Sequence, residues 1–180
     1  MTVNGNEWVV LVDDAGRHIG SAMKSEVHHR HTPLHLAFSC YLFNENGRVL
    51  LTRRALGKLT FPGVWTNSLC GHPAPGEAVP DAVVRRARQE LGLEIAELRC
   101  VLPDFRYRAV SPEGVVENEI CPVFCGRAVG SANPAPAEVM DFAWVRWENV
   151  CAAAELGWAI SPWATEQVPL LNAAGVGANA

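Results

Sequence analysis

Hydrophobic positions recur along this chain with two periods, and the changes of period mark its elements. Glu7 to Val12 is apolar and β-branched and is closed by Asp13-Asp14-Ala15-Gly16, which predicts a strand and a turn. His28 to Pro33 is polar, rich in histidine and bounded by proline, so it reads as a loop. Leu34 to Phe43 and Arg48 to Thr52 read as strands joined by Asn44-Glu45-Asn46-Gly47, whose Asn-Gly end favours a hairpin. Gly57 to Trp65 reads as loop. The period then lengthens: Val79, Ala82, Val83, Ala87 and Leu91 recur at helical spacing. Pro80 stands near the start of that pattern and Gly92 follows its end, so a helix is predicted over 79–91. Arg99 to Val110 and Val115 to Val129 read as strands around Ser111-Pro112-Glu113-Gly114, and Val139 to Trp147 as another. Glu148 to Leu156 and Trp163 to Leu171 read as short helices.

The helices are scattered among hairpins instead of alternating with strands. That predicts an α+β fold with a mixed, mostly antiparallel sheet flanked by helices. At 180 residues a single domain is expected, with no dividing linker and a frayed Ala/Gly tail from Ala173 to Ala180. The net charge of -4 offers no global pull on nucleic-acid phosphates, though a few local cations would suffice for a small phosphorylated ligand. Six cysteines without a C-x-x-C pair read as reduced thiols in a cytoplasm rather than a zinc knot. The apolar runs are far shorter than the ~20 residues of a membrane span.

Candidate chemistry concentrates in Asn67 to Glu77, NSLCGHPAPGE, which places Cys70, Gly71, His72 and Glu77 just before the arginine-rich helix. From Gly71 the chain runs five residues to Glu77, seven to Arg85, and on through Arg86-Ala87-Arg88-Gln89-Glu90-Leu91-Gly92-Leu93. This resembles the Nudix box, G-x5-E-x7-R-E-U-x-E-E-x-G-U with U a bulky aliphatic. Gly71, Glu77, Arg85, Glu90, Gly92 and Leu93 match it. Arg86 and Gln89 stand where the pattern has glutamates. Those two departures remove anionic ligands that a hydrolytic site would use for divalent cations, and an arginine there can face a phosphate instead.

LHLAFS (34–39), TRRAL (52–56), DFRYRA (104–109) and VENEICPVF (116–124), taken with NSLCGHP, resemble type 1 isopentenyl diphosphate isomerase, a Nudix-fold family that does not hydrolyse its substrate. The likeness runs from about Val9 to Trp163. It implies an isomerase that interconverts isopentenyl and dimethylallyl diphosphate in isoprenoid biosynthesis, through a carbocation-like intermediate. Such a reaction needs an acid, a base on the other face, a cation-stabilising surface and an anchor for the diphosphate.

Glu117 and Glu119 lie two apart on a predicted strand, so both project from one face. The resemblance makes both metal ligands and Glu119 the acid. It makes Cys70 the proton carrier on the opposite face and Tyr107 the hydrogen-bond partner of Glu119. It also implies a metal site of His28, His35, His72, Glu117 and Glu119, whose donors suit Mn²⁺ or Zn²⁺. Within His28-His29-Arg30-His31 the composition alone leaves the choice open; the family spacing from His35 selects His28. A second cation, Mg²⁺, is implied near Glu90 and the Cys70 carbonyl, entering with the diphosphate. Lys24, Arg54, Lys58 and Arg86 match positions that line the diphosphate. Trp163 matches a tryptophan over the isoprenoid end, where an indole face stabilises a cation.

The expected partner is a small isoprenoid diphosphate, with no nucleic acid and no membrane, acting on a monomer. The competing readings are a Nudix hydrolase, which shares the box but not the Cys70 and Glu119 pair, and a non-catalytic ligand-binding module, which would leave the histidine-carboxylate cluster idle.

Overall fold

The structure is a computed structural model that describes residues 7–177. The chain forms two mixed sheets, where the sequence suggested one. The smaller contains β1 (Trp8–Val12), β2 (His18–Met23), β3 (His35–Leu36), β9 (Arg106–Val110) and β10 (Val116–Ile120), in the order β2-β1-β3-β10-β9. The larger follows β12-β5-β4-β11-β8, with the short β6 (Trp65–Thr66) paired to β5 and β7 (Leu69–Gly71) paired to β4. Its main strands are β4 (Phe38–Phe43), β5 (Val49–Arg54), β8 (Glu94–Leu102), β11 (Val123–Val129) and β12 (Val139–Val145). Pairings are antiparallel except β3 with β10 and β4 with β11.

Those two parallel pairs explain why there are two sheets. The predicted strand at 115–129 breaks at Cys121-Pro122, because Pro122 has no N–H to give the ladder. The predicted strand at 34–43 breaks beside it at Ala37, whose N–H donates to the Ile120 carbonyl at 2.9 Å. Both chains cross from one sheet to the other side by side. The predicted strand at 99–110 starts earlier, at Glu94, and is interrupted by a turn at Pro103-Asp104.

Helix α2 (Val79–Leu91) has the bounds its period predicts, and Gly92 closes it in the left-handed region at φ 65°. Its Ala82, Val83, Ala87 and Leu91 pack on Phe38, Cys40, Leu42 and Leu50. The opposite face of the large sheet, with Tyr41, Val49, Leu51 and Val123, is covered by α3 (Trp147–Leu156) and α4 (Pro162–Ala173). Period-2 alternation along β4 therefore feeds two apolar layers. Truncating a fully buried residue such as Leu91 would cost about 2–5 kcal/mol. Helix α1 (Lys24–Val27) is a single turn leading to the histidine loop.

The C-terminal segment corrects the expected frayed tail. Val176 is buried in the α3–α4 layer, so the chain is packed at least that far; 178–180 lie outside the described residues. No helix among the described residues is long and apolar enough to cross a membrane.

Candidate active site

Both sheets and α2 contribute to one cleft of about 460 Å³. The paired crossings at Ala37 and Cys121-Pro122 aim β3 and β10 across the end of β7. Glu117 and Glu119 are buried and both line the cleft, as their spacing on β10 requires. Glu119 lies in register with His35 on one side and Tyr107 on the other.

One ligand atom from each of His28, His35, His72 and Glu119 lies within 4.8 Å of the others. His72 Nε2 is 3.2 Å and His35 Nε2 3.4 Å from Glu119 Oε1. His35 Nδ1 lies 2.9 Å from the Pro33 carbonyl, which can only accept, so Nδ1 carries a proton and Nε2 is the ring nitrogen that faces the cluster. His28 Nδ1 likewise reaches the Lys24 carbonyl at 3.3 Å. His29 and His31 are exposed, and the His31 N–H donates to His29 Nδ1 at 3.0 Å, so His28 is the histidine of this loop that joins the cluster.

Glu117 stands beside this group and outside it. The Thr60 hydroxyl donates to its Oε1. Its Oε2 is 3.2 Å from His28 Nε2, yet the pair is too poorly aligned for a hydrogen bond, and Oε2 stays buried without a partner. A buried carboxylate oxygen left over, with nitrogen lone pairs and a second carboxylate facing one point, is a donor set that a divalent metal satisfies. A proton can bridge only one such pair at a time.

Burial would raise the Glu119 carboxyl, but hydrogen bonds and charge from His35 and His72 hold it well below the usual carboxylate range. Burial pulls the His72 imidazole down to about 3. Burial likewise pushes the Cys70 thiol up to about 11, against opposing contacts from Ser39 and Asn67. Cys70 Sγ is 3.4 Å from Ser39 Oγ and 3.2 Å from Asn67 Oδ1. The expected hydrogen bond from Tyr107 to Glu119 is absent; the two face each other only across the β9–β10 ladder. Tyr107 packs instead on Trp163, with ring centroids 5.6 Å apart.

The amino-acid sequence matches the NUDIX domain over residues 33–166. It is 71% identical to isopentenyl-diphosphate Delta-isomerase of Mycolicibacterium vanbaalenii, covering 95% of this chain and 94% of that one. The protein of the same name in Clavibacter michiganensis is 60% identical over 92% of this chain and 86% of that one. The chain belongs to the type 1 isopentenyl diphosphate isomerase family, within the Nudix superfamily. Among solved structures, DR0079 of Deinococcus radiodurans superposes with a TM-score of 0.70 at 21% identity, covering 91% of this chain and 98% of that one. A MutT protein of Methanosarcina mazei gives 0.60 at 19% identity, over 79% of this chain and 94% of that one. These two share the fold.

In this isomerase-family chain the Nudix box is split between scaffold and site. Gly71 is required by packing, since a Cβ there would meet the Phe38 ring at 2.8 Å. Glu77 accepts from Arg85 Nε at 2.7 Å, and Arg85 Nη2 reaches the His72 carbonyl at 3.2 Å, so this pair braces a site histidine. Arg86, buried on α2, pairs with Glu90, with Glu7 at 2.9 Å and with Glu138 at 3.5 Å. Glu90 thus sits behind Arg86 and does not line the cleft. Lys24 pairs with Glu7 at 2.6 Å and Lys58 with Glu138. Arg54 donates to the Thr60 carbonyl and lies 5.5 Å over the Trp163 ring, more a partner of the tryptophan than a free cation. Trp163 is buried at the base of the cleft.

Sequence reasoning missed Glu7, Glu138, Thr60 and the buried polar residues under Cys70, which are Asn67, Ser39 and Gln167. Asn67 and Ser39 lay inside quoted motifs, and their uncharged side chains between apolar neighbours were the available signal. Glu7 and Glu138 belong to no motif.

Proposed function

We infer that the protein interconverts isopentenyl diphosphate and dimethylallyl diphosphate. The observation that carries this reading is that Cys70 and Glu119, two groups able to exchange protons, line one cleft with a buried indole and a wall of cations. In this reading Glu119 and Cys70 exchange the two protons from opposite faces: one is given to the terminal alkene carbon, the other is taken from the carbon nearer the diphosphate, and the electron pair of that C–H bond becomes the new double bond. Trp163 and Tyr107 face the cationic carbon between those events, and the aromatic layer of Phe61 and Trp163 keeps water from quenching it.

Lys24, Lys58 and Arg86 hold the diphosphate, exchanging their Glu7 and Glu138 partners for phosphate oxygens. His28, His35, His72, Glu117 and Glu119 fit a resident Mn²⁺ or Zn²⁺, which would polarise and orient the Glu119 carboxyl. Mg²⁺ would accompany the diphosphate; the Glu90 carboxylate expected to help hold it is taken up by Arg86 behind the cleft, which leaves the phosphate oxygens and the Cys70 carbonyl as the candidate ligands. The six free thiols support a reducing, cytoplasmic setting, and the chain is taken to act as a monomer on this small substrate.

Arg86 weighs against a hydrolase, because its guanidinium already occupies the Glu90 carboxylate that a hydrolytic box offers to metal. The test is proton and phosphorus NMR of isopentenyl diphosphate with the purified protein, Mg²⁺ and Mn²⁺ in D₂O. Deuterated dimethylallyl diphosphate with the diphosphate intact is expected. Released phosphate, or an unchanged substrate with metal-loaded protein, would sink the reading.

A further inference from the structure

Asn67 is fully buried between β6 and β7, below the reacting groups. Its Nδ2 donates to the Cys40 and Leu69 carbonyls at 3.1 and 2.7 Å. Its Oδ1 accepts from the Thr66 hydroxyl at 2.7 Å, the Trp163 indole N–H at 2.9 Å and the Cys70 thiol at 3.2 Å. Flipping the amide would set its oxygen against two carbonyls and its NH₂ against an indole N–H, so the partners fix its orientation. A carbonyl oxygen has two lone pairs, and three donors here compete for them.

The thiol and the indole come from different elements, β7 and α4, and both line the cleft. No backbone ladder joins those elements at this point; Asn67 Oδ1 is the atom both side chains touch. We propose that Asn67 is a positioning residue that fixes the Cys70 sulfur and the Trp163 ring relative to each other. It thereby sets the gap in which the substrate carbon meets a proton carrier on one side and a cation-stabilising face on the other. Ser39 braces the sulfur from a second side, and it is itself held by Gln167, whose Nε2 donates to Ser39 Oγ at 3.0 Å. Gln167 Oε1 in turn accepts from the Tyr41 hydroxyl at 2.9 Å. The inference rests on the isomerase reading and extends it to a residue that never touches substrate.

Two measurements test it. Asn67→Ala should lower kcat about a hundredfold, the scale of a reacting group displaced by about 1 Å. KM for the diphosphate should stay within threefold, because none of Lys24, Lys58 and Arg86 is among the hydrogen-bond partners of Asn67. A kcat within twofold of wild type, or a loss confined to KM, overturns the proposal. Asn67→Ala buries unpaired donors and can fail to fold, so the second measurement uses Cys70 variants and needs no turnover. In ¹⁵N-tryptophan-labelled protein, the Trp163 indole proton is assigned by its loss in Trp163→Phe. A shared acceptor predicts a downfield move in Cys70→Ala, where a competitor is gone, and an upfield move in Cys70→Ser, where a stronger donor arrives. Any other pattern overturns the shared acceptor. Wild-type protein inactive on isopentenyl diphosphate would defeat the isomerase reading while leaving this second test intact.

Discussion

His35 Nε2 and His72 Nε2 face each other across 3.2 Å, with Glu119 Oε1 within 3.4 Å of both. The His35 proton is committed to Pro33 on the far side of its ring. Burial draws the His72 imidazole down to about 3, so it is neutral near pH 7. Burial would lower the His35 imidazole, but the Glu119 carboxylate beside it raises it. Two imidazole nitrogens converging on one carboxylate oxygen are arranged for a cation. The protein is expected to gain stability on adding Mn²⁺ or Zn²⁺. At a hundred times the Kd the gain is about 2.7 kcal/mol, or about 5–10 °C in Tm for a chain of this size. His72→Ala should remove most of that gain. Equal melting temperatures with metal and with chelator would refute the site.

Removing either proton carrier should abolish turnover without unfolding the chain. Cys70→Ala deletes one sulfur and leaves Ser39 and Asn67 their other partners. Glu119→Gln keeps the shape of the side chain. General acid–base catalysis contributes about 10²–10⁴-fold, so each variant should fall by at least about a hundredfold in kcat. Proton NMR in D₂O reads the rate, and circular dichroism reads the fold. Near-normal turnover in either variant would remove that residue from its role.

The Glu77–Arg85 pair should be visible in acid. Hydrogen bonds from Arg85 hold the Glu77 carboxyl below its ordinary 4.5, and the Ala74 N–H adds to this against a small cost of burial. A carboxyl depressed in the folded state stays ionised after the unfolded chain has taken its proton. The pair's contribution is therefore complete above the unfolded value and fades as pH falls through the folded one. Urea midpoints measured from pH 7 to pH 3 should decline less steeply below about pH 4.5 in Glu77→Gln than in wild type. Parallel curves would mean that the pair adds nothing to stability.

Sequence pattern revealed most where one element satisfies itself. Helix α2 could be read to the residue because period, Pro80 and Gly92 all agreed. The edge strand β2 could not, since His18–Met23 is half-exposed and owes its conformation to pairing with β1. Pro122 was visible, but a proline inside a strong apolar run was outweighed by its neighbours until its partner break at Ala37 was known. At the site, motif residues were legible because each carries a scarce donor: Cys70, His35, His72, Glu119. Glu7 and Glu138 were not, because their importance lies in which cations they meet after folding. The tail was misread because Val176 finds its apolar pocket only once α3 and α4 have packed.

Arg86 shows the same gap between motif and fold, and its replacement separates a buried network from a surface pair. Its guanidinium is shared by Glu7, Glu90 and Glu138, drawn from before β1, from α2 and from before β12. Burial would lower its pKa, but those three carboxylates raise it, so the charge persists at any working pH. Arg86→Ala would leave the carboxylates facing one another with only Lys24 and Lys58 to offset them. Breaking a buried pair from one side costs about 3–5 kcal/mol, which a urea titration would resolve easily. Arg86→Glu should be worse, because it adds a fourth carboxylate, and it should weaken pyrophosphate binding. It should not create a hydrolase, since Gln89 still stands where a box glutamate would. Arg88→Ala, on the same helix but in an exposed pair with Glu94, should barely change stability. If Arg86→Ala were as benign as Arg88→Ala, the Arg86 network would be a neutral surface cluster and its place as an organiser of the cation wall would be lost.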